Sequence, residues 1–249
     1  MIDPRIAAAL ERDNGFPLEP HLVVLALMGS HSHGTYLPPE EPNAVDDVDL
    51  MGFVVPPLEY HIGLPRWQHW TFQFEELDVV LYSLDKAVRL LLKSNRNIVG
   101  LLWLARKSTC TDTRSSRSFA LGATSSRRRK PQHRSPATRP ISSSEWKRSR
   151  KAMVRKYQYD VKNAAHLIRL LRMGAEFIAT GTLQVYRTTD ADELKIIKRG
   201  GWTLDQVKAE AERLFELVEE ARGRSTLPVG PDVEAANALL MELHRRILL

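Results

Sequence analysis

Apolar residues run together or alternate in the first hundred positions and recur at helical spacing after about residue 150. That shift predicts a mixed α/β first part and a helical second part. Leu22 to Met28 is a short apolar run rich in β-formers and ends at Gly29-Ser30, which predicts a buried strand. Asp47 to Val55 predicts a second strand, stopped by Pro56-Pro57, and Glu76 to Tyr82 a third. Helices are expected at Ile2 to Leu10, Leu84 to Lys93 and Asn95 to Leu104. His31 to Val45, with Pro38, Pro39 and Pro42, reads as a loop. After residue 150, Val161, Ala164, Ala165, Ile168, Leu171 and Ala175 predict one helix over Lys156 to Phe177, followed by an extended piece, Leu183 to Arg187. Asp190 to Arg199 predicts a short helix closed by Gly200-Gly201. Thr203 and Gln206 stand at capping-box spacing before a helix to about Ala221, and Pro231-Asp232 opens a last amphipathic helix.

Lys107 to Arg150 breaks the pattern. It is Ser, Thr, Arg and Pro with little aliphatic content, so the chain divides into 1–106, an irregular basic segment 107–150, and a helical 151–249. Charge sharpens this division. The whole chain has 36 Lys/Arg and 30 Asp/Glu, and its pI near 9.5 suggests a nucleic-acid binder. Between Arg106 and Lys156, however, 16 Lys/Arg face only Asp112 and Glu145, which leaves 20 against 28 elsewhere. One segment of +14 thus lies in a chain that is otherwise −8. Three readings fit it: a basic insert that grips RNA phosphates, a solvated linker, or a stretch translated in a shifted frame. The sharp return of ordinary sequence near Lys151 favours the last. The single Cys110 excludes an internal disulfide and a four-cysteine zinc site. The longest apolar run is too short to cross a bilayer, and the N-terminus lacks a signal-peptide pattern, so no membrane partner and a cytoplasmic location are expected.

The candidate chemistry lies at the strands. Asp47 and Asp49 stand two apart in a strand and project to one side, where their mutual repulsion calls for a cation. Hard oxygen ligands favour Mg²⁺ or Mn²⁺. Gly29 allows close approach to the backbone, and Ser30 adds a hydroxyl for a phosphate. Asp78 faces away from Leu77, Val79 and Leu81, and a lone acid in an apolar strand is costly unless paired or metal-bound. Three carboxylates suit two metal ions about 3.5–4 Å apart. On one helix face, Lys162, His166 and Arg169 are spaced i, i+4 and i+7, either as phosphate ligands or as a solvated face around a buried imidazole.

Gly29-Ser30, Asp47-x-Asp49 and Asp78 resemble the signature of the DNA polymerase beta superfamily of nucleotidyltransferases. Tyr159-Asp-x-Lys162-Asn-Ala-Ala-His166-Leu-Ile-Arg169 and Gly181-x-Leu-x-Val-x-Arg187 resemble its RNA repair pathway branch. The resemblance implies an α+β fold, a nucleotidyltransferase-type mixed sheet followed by a helical C-terminal part. It implies transfer of NMP from an NTP to an acceptor hydroxyl, RNA by the family's name, with release of pyrophosphate. Asp47 and Asp49 would hold the metal that escorts the triphosphate, Asp78 would serve a second metal and the attacking hydroxyl, and Ser30 would bind phosphate. Lys162, His166 and Arg169 would lie near nucleotide or acceptor. A non-catalytic RNA-binding protein and a transferase acting on protein or a small molecule are the alternatives. Preferred base, acceptor and oligomeric state stay open. The gap from Ser30 to Asp47 is longer than the family pattern, and His31-x-His33 reads as part of an inserted loop rather than as a metal pair.

Overall fold

The computed structural model describes residues 8–9, 11–13, 15–44, 48–74, 77–104, 109–112 and 151–248. The expected helix at Ile2 to Leu10 lies mostly outside them; residues 8–9 and 11–13 are helical. Among the described residues five strands form one mixed sheet: β1 (Leu22–Leu27), β2 (Val48–Val54), β3 (His69–Phe74), β4 (Leu77–Ser83) and β5 (Thr109–Asp112). Their order is β3-β4-β2-β1-β5, with β2 and β4 parallel and the other neighbours antiparallel. The α+β architecture is as expected. β3 was not foreseen; its Trp70 and Phe72 stack at 5.2 Å and pack against the core on one face of the sheet. β5 corrects the start of the segment read as irregular: pairing with β1, rather than apolar periodicity, makes 109–112 a strand. Residues 113–150 lie outside the described residues.

Alternation in β4 buries Leu77, Val79, Leu81 and Ser83 and turns Asp78 to the other face. The buried side joins Leu25, Leu50 and Val54 in one core. Full burial of each such side chain stabilises by about 1.5–3 kcal/mol. Two short helices, α1 (Gly29–Ser32) and α2 (Glu59–Ile62), follow β1 and β2, and the opposite face, which carries Met51 and Phe53, packs on α3 (Leu84–Leu92) and α4 (Arg96–Leu102). Ser83 caps α3 by accepting from the Lys86 N–H at 3.2 Å, and Asn95 caps α4.

The helix expected over Lys156 to Phe177 is two. Residues 151–157 form α5, Gln158 turns the chain at φ +68°, and Asp160 accepts from the Asn163 N–H to start α6 (Val161–Thr180). Apolar periodicity continues across the break, so it hid the cap. α6 ends at Gly181, φ +70°, the left-handed stop that glycine takes without strain. The helices α7 (Ala191–Lys198) and α8 (Leu204–Arg224) pack on α6 around Ile168, Ile197 and Leu214. The capping box at Thr203 and Gln206 is formed. α9 (Val233–Leu248) lays Leu240, Leu243 and Ile247 back onto the sheet-side core. Among the described residues no helix is long and apolar enough to cross a membrane.

Residues 33–44 form the expected loop, with His31 and Ser32 in α1. They are fastened to the helical half: Lys198 Nζ donates to Thr35 O at 2.7 Å, Asn43 Nδ2 to Lys198 O at 3.0 Å, and the Arg187 N–H to His33 O at 3.1 Å. Arg199 also pairs with Glu41. The polar composition and prolines of this segment reflect docking to another part of the chain, a tertiary effect.

Arg187, 2% exposed, is bound at once by Glu176 and Asp190. Burial opposes its charge, yet the bonds from both carboxylates hold its pKa above the ordinary value. The Leu183-to-Arg187 piece pairs into no strand among the described residues; this ion cluster and the buried Val185 hold it. Arg187→Met should therefore cost about 3 kcal/mol in urea unfolding, as expected when one partner of a buried pair is removed. Arg222→Met, which breaks an exposed pair with Glu219, should cost under about 1 kcal/mol.

Candidate active site

Residue pairing in the parallel β2–β4 register places Asp49 opposite Asp78. Both side chains leave the same face of the sheet, because Leu50 and Leu77 occupy the other. Asp47 lies outside the described residues, so the three-carboxylate expectation is represented there by this pair. The two acids line one wall of a cleft of about 400 Å³. Gly29 and Ser30 form its rim, and Lys162, His166 and Arg169 of α6 form the wall opposite. Residues separated by more than a hundred positions are thus brought together.

Gly29 has φ +60° and lies against the Asp49 carboxylate: a Cβ there would come 1.8 Å from Oδ2. The Met28 N–H donates to Asp49 O at 2.8 Å, and buried Ser32 donates its hydroxyl to Gly29 O at 3.0 Å. The turn after β1 is thereby tied to the strand that bears Asp49.

The opposite wall is a set of cations and neutral imidazoles. Arg169 is 7% exposed. Its Nη2 donates to His166 Nδ1 at 3.0 Å and its Nη1 to Met173 Sδ at 3.0 Å, with His33 Nδ1 3.4 Å away. Among the described residues no carboxylate hydrogen-bonds this guanidinium. Burial, then Arg187 and Arg96, lowers its pKa to about 10. Burial, then Arg169, lowers His166 to about 4 and His33 to about 3, so both rings are neutral at pH 7. As Nδ1 of His166 accepts from Arg169, its proton sits on Nε2. Lys198 at the end of α7 is also buried, and burial followed by Lys162 and Arg169 lowers its pKa to about 8.

Sequence reasoning missed His33, Thr35, Asn97 and Lys198, all of which line the cleft. Lys198 carried a weak signal, as a basic residue in the last turn of a helix. His33 belonged to a pattern assigned to a loop. His31, its partner there, stacks on Tyr36 at 4.2 Å.

A mixed sheet with paired strand aspartates, closed by a helical half, is the fold of a polymerase beta-type nucleotidyltransferase. The chain matches the model of RlaP, the RNA repair pathway DNA polymerase beta family, over residues 7–242, and it belongs to that family. No curated protein and no solved structure matches it.

Gly29→Ala forces the left-handed backbone on a residue with a Cβ and drives that Cβ into Asp49. A stability loss of at least about 1–2 kcal/mol is expected in urea titration. Gly223→Ala, whose Cβ meets nothing within 4 Å, should leave stability unchanged or raise it.

Proposed function

We propose that the chain transfers a nucleoside monophosphate from an NTP to an acceptor hydroxyl, with RNA as the acceptor, and releases pyrophosphate. The observation that carries this reading is the cleft's division: Asp49 and Asp78 on the sheet wall, and buried Arg169, which no carboxylate hydrogen-bonds among the described residues, on the helical wall. A buried cation without a counter-ion is costly and calls for an anion. A metal-bound triphosphate meets both walls at once. Family membership supports the same class of reaction.

The donor set fits Mg²⁺ or Mn²⁺: hard carboxylate oxygens side by side on one face, with Asp47 adjoining in sequence. When bound, such ions supply Lewis-acid polarisation of the α-phosphate. The protein's own residues do the positioning. Arg169, Lys198 and Lys162 neutralise phosphate oxygens, and His166 donates from Nε2. Ser30 offers its hydroxyl to the pyrophosphate, and Asp78 takes the hydrogen bond of the attacking hydroxyl. A bond forms between that oxygen and the α-phosphorus as the α–β bridge breaks.

Asp49→Asn and Asp78→Asn should each lower transfer of labelled NMP to RNA by about 10²–10³-fold or more, with circular dichroism unchanged. Salt-sensitive RNA binding with no transfer by the parent protein points instead to a non-catalytic RNA binder, and label in protein defeats the RNA assignment.

Lys198 gives a pH test. It is cationic below about 8 in the free protein and loses its charge above. A bound triphosphate raises that pKa, so NTP affinity should be constant below pH 8 and fall as pH rises beyond it. In Lys198→Arg the fall between about pH 8 and 9 should be absent, as read by calorimetric or fluorescence titration.

A further inference from the structure

Three side chains that take no part in the cleft converge where α9 crosses α2 and α3. They are His61 on α2, Asp85 on α3 and His244 on α9, and their ligand atoms all lie within 4.8 Å of one another. His61 Nδ1 is 3.5 Å and His244 Nε2 3.4 Å from the same Asp85 Oδ2. The two rings meet edge to face at 4.8 Å.

The far nitrogens fix the protons. His61 Nε2 is 3.0 Å from Pro56 O, and His244 Nδ1 is 2.8 Å from Leu240 O. A carbonyl oxygen only accepts, so each far nitrogen carries the hydrogen. In the neutral rings, Nδ1 of His61 and Nε2 of His244 are then lone pairs, both turned toward a carboxylate. Acceptors face acceptors, and the buried His244 Nε2 has no hydrogen-bond partner. An imidazole that donates its outer N–H to a backbone carbonyl is the usual support of a metal ligand. Ligand–metal bonds of about 2.0–2.2 Å in a tetrahedron place ligand atoms about 3.3–3.6 Å apart, the spacing found on both edges to Asp85.

We propose that His61 Nδ1, Asp85 Oδ2 and His244 Nε2 bind one divalent transition-metal ion of borderline softness, Zn²⁺ foremost, with water as fourth ligand. The three ligands come from three helices, so the ion joins α9 to the sheet-side helices. None of them lines the cleft. The site is structural and distinct from the carboxylate pair.

The test uses the tag-free full chain carrying Asp49→Asn and Asp78→Asn, stripped of metal by chelator. Co²⁺ is titrated by its visible absorption and then displaced by Zn²⁺. One equivalent should bind, and Zn²⁺ at a hundredfold excess over Kd should raise Tm by about 5 °C or more. His61→Gln, Asp85→Asn and His244→Gln should each weaken binding at least about tenfold and reduce the Tm shift. If His244→Gln unfolds the last helix, the partly exposed His61→Gln decides. Absence of a bound equivalent in the parent protein, or its retention at full affinity in His61→Gln, overturns the proposal.

Discussion

The buried bond from Lys198 Nζ to Thr35 O is the contact on which the site depends. It holds the turn following β1 against the end of α7, beside the backbone bond from Arg187 to His33. With these in place, Gly29 is pressed on Asp49 from one side while α6 presents Arg169 from the other. Neither half holds the cleft alone: the sheet carries its acids and the helices its cations. The same bond takes up one of the three donors of Lys198, leaving the others for a ligand.

Repulsion is distributed with some economy. Arg187, close enough to depress the Arg169 pKa, is satisfied by Glu176 and Asp190, and Arg172 is bound by Asp190, Glu193 and Glu210. Those carboxylates are consumed by structural arginines. Arg169 has instead two imidazoles, kept neutral by burial and then by its own charge, and a thioether. The neighbouring ion pairs thus rigidify the frame without cancelling the charge that faces the cleft.

Much of this was legible in the sequence where a local rule had one outcome. Alternation around Asp78 gave its face, i and i+4 spacing put Lys162 and His166 together, and the capping box at Thr203 marked a helix start. What was hidden depended on distant partners. Residues 31–44 look like a loop because their hydrogen bonds go to Lys198, Arg187 and Val185, more than a hundred positions away. β5 is a strand because β1 has an open edge, not because of its own pattern. Lys198 is buried and His33 half-buried by tertiary docking, which periodicity does not register.

The charge excess gives little support to RNA binding, because it sits in 107–150, where only 109–112 is described. A stronger argument comes from the geometry of the cleft. A protein that merely gripped phosphates would gain from cations alone, and a pair of aspartates would weaken it by repulsion. Asp49 and Asp78 sit in register on neighbouring strands, with Gly29 in the left-handed conformation to leave room for one of them. Such an arrangement costs stability in repulsion and in backbone freedom, and a cation between the acids offsets that cost. Acids suited to a metal and an arginine suited to an anion, lining one cleft, are what favours the proposed metal-bound polyphosphate over a bare nucleic-acid backbone.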